Sequence, residues 1–133
     1  MPLVTFTEDD QLGKIVIDNP PVNLFSLDAL ADLRSAIDAA ARSDIRAVLV
    51  RAEGTDFSAG ADVSVFNGLD DARASELEAT VLSLIVAIEA LPVPALALIQ
   101  GQCYAGALEV PVATPLSVQF GDLGEIRVEL VAA

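Results

Sequence analysis

The stretch IRAVLVRAEGTDFSAGADVSVF, residues 45–66, decides how this 133-residue chain is read. Its first part, Ile45 to Arg51, is a short continuous apolar run that ends near Gly54, the composition of a strand buried on both faces. Its second part, Phe57 to Asp62, leaves that strand through Ala59, Gly60 and Ala61 and then presents an acid. Glycine permits positive φ and close backbone approach, and flanking alanines leave the surface bare, so a ligand could reach the peptide N–H groups of this turn directly. The alternative is a plain strand-to-helix connection, for which glycine is the usual residue.

Upstream, LVTFT and GKIVID flank Glu8, Asp9 and Asp10 and read as a hairpin. Asn19-Pro20-Pro21 then ends the ladder, because proline has no N–H to donate. Ser26 is suited to cap a helix over LDALADLRSAIDAAA, with Leu30, Leu33, Ile37 and Ala41 on one face and Asp28 in the first turn. Downstream, Asp70 or Asp71 opens a second helix in which Leu77, Val81, Leu84, Ile88 and Leu91 recur at steps of four and three, until Pro92 and Pro94 end it. ALALI, residues 95–99, reads as another buried strand and runs into a second glycine-bearing turn, QGQCYAGALE, residues 100–109. Two strand-turn-helix passages of this kind bring two sets of bare N–H groups to one edge of an α/β layer.

Composition narrows the function. A length of 133 residues and 53% hydrophobic content suit a single domain over residues 1–133. Seven Lys plus Arg against twenty Asp plus Glu leave a net charge of -13, which repels nucleic acid and anionic membrane. The acids are scattered, and neither Asp9-Asp10 nor Asp70-Asp71 has the spacing of a calcium loop. There is no histidine, and Cys103 is the sole cysteine, so within one chain there is no disulfide, no histidine-based triad and no Cys/His zinc site; a metal is not expected. The start MPLVTFTEDDQL has no basic or long apolar segment, no later run is long enough for a membrane span, and a cytoplasmic, reducing location is the expectation.

Three segments together, NPPVNLFS (19–26), IRAVLVRAEGTDFSAGADVSVF (45–66) and IEALPVPALALIQGQCYAGALEV (88–110), resemble in order and spacing the signatures of the enoyl-CoA hydratase/isomerase (crotonase) family. The resemblance spans roughly residues 10–110 and implies an α/β crotonase-like spiral of ββα repeats, shortened at the C-terminal side by the absence of the family's closing helices. It further implies an acyl-CoA thioester as ligand, with coenzyme A as part of the substrate and no separate cofactor, and a homo-oligomer such as a trimer. Carried over by position, Ala61 and Gly106 would donate the two backbone N–H groups of an oxyanion hole for the thioester oxygen, with Ala59, Gly60, Asp62 and Tyr104 lining the substrate site. Glu109, three residues after Gly106, would occupy the catalytic position of hydratases, and Glu125 in QFGDLGEI the approximate place of a second glutamate. Two carboxylates fit hydration, one activating water and the other protonating C2, whereas an isomerase could manage with one.

Each of these residues also has a plainer reading. Glu109 suits any first helical turn, Glu125 begins the alternating EIRVEL of a half-exposed strand, and Cys103 and Tyr104 suit packing. The sequence departs from the family pattern at Gln100, where histidine or asparagine is usual, at Ala105-Gly106-Ala107 in place of three glycines, and at Pro111, which is expected to cut short the helix bearing Glu109. Two function classes stay open: an acyl-CoA enzyme, by preference a hydratase, and a non-catalytic module of the same fold that binds acyl-CoA or associates with itself.

Overall fold

A computed structural model describes residues 1–103 and 114 and the backbone of 116–120. The first strands, β1 (Val4–Asp9) and β2 (Leu12–Ile17), form an antiparallel hairpin in which Val4 pairs with Ile17 and Asp9 with Leu12. Glu8 and Asp9 belong to the ladder, and the turn itself is Asp10-Gln11, both at positive φ (49° and 67°). A two-residue hairpin turn with this handedness matches the twist of the strands that it joins.

Helix α1 (Leu27–Arg42) then returns the chain to β3 (Ala47–Ala52), which pairs parallel with β2. Ser26 caps α1 by accepting a hydrogen bond from the Ala29 N–H at 3.1 Å, with Asp28 in the first turn and Arg42 in the last, both favourable to the helix dipole. Its buried face is Ala29, Leu33, Ala36, Ile37 and Ala40; Leu30 is half-buried and Ala41 faces solvent. The sequence pattern picked the stripe correctly but chose the wrong alanine at its end, because a methyl group weighs too little to fix a helix face.

Helix α2 (Asp71–Glu89), capped by Asp70, leads to β4 (Ala95–Gln100), which pairs parallel with β3, and β5 (Leu116–Phe120) pairs parallel with β4. The sheet order is therefore β1-β2-β3-β4-β5. Its residues alternate between two faces. Ile15, Ile17, Val48, Val50, Ala95, Ala97 and Ile99 pack with α1 and with Leu84 and Ile88 of α2 in the main core. Leu12, Leu49 and Leu98 gather in a second cluster, against which the half-buried Leu96 packs. Burial of β3 on both faces, as its continuous apolar run predicts, follows from this division. No helix among the described residues is long and apolar enough to cross a membrane.

Candidate functional site

Since β3 and β4 are parallel neighbours, their C-terminal ends open at the same edge of the sheet, where ligands of α/β layers commonly bind. The two exits run together: Phe57 N–H donates to the Gln100 carbonyl at 2.8 Å and Ser58 N–H to the Gln102 carbonyl at 3.1 Å, so Ser58 and Cys103 form a parallel bridge. The side chains add further ties. Gln100 Nε2 donates to the carbonyls of Ala52 (2.7 Å) and Gly54 (3.2 Å), and Asp56 Oδ1 accepts the Gln102 N–H at 2.8 Å. Gln100, which departs from the family pattern, thus ties the end of β4 to the end of β3.

The Asn19–Ser26 loop closes the other side. Asn23 is 2% exposed and holds a left-handed φ of 52°, a conformation that asparagine tolerates better than most residues. Its Nδ2 donates to the carbonyls of Glu53 (2.8 Å) and Asp56 (3.0 Å), and its Oδ1 accepts the Asn19 N–H at 2.7 Å. Ser58, fully buried, donates from Oγ to the Asn23 carbonyl at 2.6 Å and accepts the Gly60 N–H at 3.1 Å. Asn23 and Ser58 were not singled out in the sequence, although both lie inside the quoted signatures; an asparagine two residues after Pro20-Pro21 was the available signal for a special backbone position.

These contacts determine what the Ala59-Gly60-Ala61 turn offers. Ala59 N–H donates to the Val22 carbonyl at 2.9 Å, Gly60 N–H is held by Ser58, and Asp62 N–H donates to the Phe25 carbonyl at 3.1 Å. The Phe25 N–H in turn donates to the Gly60 carbonyl at 2.9 Å, so Phe25 bridges the residues on either side of Ala61. In a parallel bridge the bracketed residue turns its own N–H away from the partner. Ala61 alone between Phe57 and Asp62 has an amide with no acceptor among the described residues. Gly60, at φ 109°, supplies the backbone conformation that permits this course.

An apolar cleft of about 480 Å³ adjoins the turn, with Ala59 and Ala61 in its wall. Phe25, Leu33, Leu84 and Ile88 form its buried base, and every described residue lining it is apolar. The arrangement sets the Ala61 N–H beside a surface whose described side chains are all hydrocarbon. Asp62 caps the short 3₁₀ turn Val63–Phe66 by accepting the Ser64 N–H at 3.0 Å, and hydrogen bonding from Ser64 holds its carboxyl below the ordinary value of 3.8. Burial pushes the Cys103 thiol up, which disfavours the nucleophilic thiolate. Among the described residues no cluster of acids and cysteines could hold a metal ion. Tyr104, Gly106, Glu109, Pro111 and Glu125 lie outside the described residues.

Comparison with known proteins bears on the family and the fold. The profile of the family described as enoyl-CoA hydratase/isomerase matches residues 7–119. A Bacillus subtilis (strain 168) protein named "Probable enoyl-CoA hydratase" is 32% identical over 124 residues, covering 92% of this chain and 48% of that protein. A (7aS)-7a-methyl-1,5-dioxo-2,3,5,6,7,7a-hexahydro-1H-indene-carboxyl-CoA hydrolase of Mycobacterium tuberculosis (strain ATCC 25618 / H37Rv) is 35% identical over 115 residues, covering 81% of this chain and 44% of that enzyme. The crystal structure of enoyl-CoA hydratase from Thermoplasma volcanium GSS1 superposes with a TM-score of 0.84 at 28% identity, over 90% of this chain and 48% of that one. The chain thus spans about half the length of the relatives that it matches.

Proposed function

The chain belongs to the enoyl-CoA hydratase/isomerase family, and from that premise we propose that it binds acyl-CoA thioesters and adds water to a 2-enoyl-CoA. The observation that carries the reading is the Ala61 amide, which has no acceptor among the described residues and lies in the wall of an apolar cleft. Attack of water at C3 moves the π electrons toward the thioester and places negative charge on its oxygen. A backbone N–H already oriented toward that oxygen stabilises the enolate without reorganising, and loss of one such donor typically costs about a hundredfold to a thousandfold in rate.

By the family resemblance, Gly106 supplies the second donor, Glu109 takes the proton from the attacking water, and Glu125 delivers a proton to C2. The sum is addition of H and OH across the double bond, with no redox change and coenzyme A present only as part of the substrate. Ala59, Gly60 and Tyr104 frame the thioester, and Asp62 holds the turn from beyond it.

The test is hydration of crotonyl-CoA by the wild type and by Glu109→Gln. The variant should lose about a hundredfold to ten-thousandfold in kcat and bind acetyl-CoA almost unchanged, because the amide keeps the shape and loses the proton transfer. Wild-type turnover no faster than buffer, or a fully active Glu109→Gln, overturns the hydratase reading.

A further inference from the structure

The cleft beside Ala61 is large for a four-carbon acyl group. A methylene takes about as much room as a water molecule, roughly 30 Å³, so about 480 Å³ has room for about sixteen carbons. A crotonyl group would fill only about a quarter of it by the same count. The lining is also uniform. Leu33 of α1 and Leu84 and Ile88 of α2 close the base, the half-buried Leu77 and Val81 form the α2 wall, and Phe66 stands exposed at the side. A polar or charged tail entering this space would lose its water and meet no partner among the described residues.

We propose that the cleft selects thioesters of apolar acyl groups of about eight or more carbons, up to about sixteen, over short or carboxylate-tailed ones; the inference rests on the acyl-CoA reading above. The thioester oxygen sits at Ala61 and the hydrocarbon runs along α2 past Val81 and Leu77. Each added methylene buried there strengthens binding by about fourfold until the cleft is full. Octanoyl-CoA, with four methylenes more than butanoyl-CoA, then binds on the order of a hundredfold tighter.

The experiment measures affinity by calorimetry for butanoyl-, octanoyl- and suberoyl-CoA, with turnover of the matching 2-enoyl-CoAs measured separately. Octanoyl-CoA binding at least about tenfold tighter than both others supports the proposal. Equal affinities, a preference for butanoyl- or suberoyl-CoA, or no binding of any of the three overturns it. Graded binding without turnover removes the hydration reading and leaves this one standing. Val81→Trp and, separately, Leu77→Trp fill the α2 wall; in whichever of them keeps the wild-type circular dichroism spectrum, the octanoyl-to-butanoyl ratio should fall at least about tenfold. An unchanged ratio in a folded variant overturns the placement of the chain along α2.

Discussion

At Ser58 a single hydroxyl serves two backbone groups, the Asn23 carbonyl and the Gly60 N–H, in a place with no access to water. Replacing it with alanine leaves a buried donor and a buried acceptor each short of a partner, and each such loss typically costs about 1–3 kcal/mol. Ser58→Ala should therefore lower the unfolding free energy by about 2–6 kcal/mol in a denaturant titration, and a midpoint equal to wild type would show the two groups satisfied some other way. Asp62 behaves differently, because it is only half-buried and acts through charge. Its folded-state carboxyl lies below 3.8, so the folded chain releases this proton more readily than the unfolded one. The stabilisation is present above the ordinary value and is lost as the pH falls through the folded one. The advantage of wild type over Asp62→Asn should accordingly be seen at pH 7 and shrink as the pH drops through the carboxylate range, as read from thermal midpoints.

Among the elements, α2 has the least ordinary role. Its apolar positions step by four and three, yet only Leu84 and Ile88 are buried, while Leu77 and Val81 are half-buried along the cleft and Leu82 and Val86 are exposed. Its C-terminal half is held by the core and its N-terminal half stands over the cleft. Leu84→Ala should cost about 2–5 kcal/mol, since it opens a void at the junction of core and cleft. Leu82→Ala, two residues away on the outer face, should stay within about 0.5 kcal/mol of wild type. Equal losses in the two variants would mean that the outer face of α2 is covered in solution.

Across the whole molecule, apolar exposure and charge oppose each other. Leu27, Val63, Phe66, Leu82 and Val86 are all more than half exposed, while a net charge of -13 keeps identical chains apart. Salt screens the repulsion and leaves the apolar contribution, with a Debye length of about 10 Å at 0.1 M and about 3 Å at 1 M. Sedimentation at micromolar concentration should therefore show species heavier than the 13.8 kDa monomer, with their share rising as salt is added. A clean monomer at every ionic strength would contradict the expected self-association.

The sequence by itself determined β1 to β4, α1 and α2 and their order, whereas β5 was not read from it. Continuous apolar runs marked β3 and β4, helical spacing and the caps Ser26 and Asp70 marked α1 and α2, and three ordered signatures identified the family with its crotonase-like fold. These features were legible because each depends on neighbours a few residues apart. Distant partners were not legible. That Asn23 reaches Glu53 and Asp56, that Ser58 reaches back to Asn23, and that Gln100 joins two strand ends are contacts across 30 to 48 positions, and no local pattern encodes them. The resemblance pointed to Ala61 as a donor by its place in a motif. Only the tertiary structure showed the physical reason that its amide is available: Phe25 occupies the groups on both sides of Ala61 and leaves the Ala61 N–H without an acceptor among the described residues.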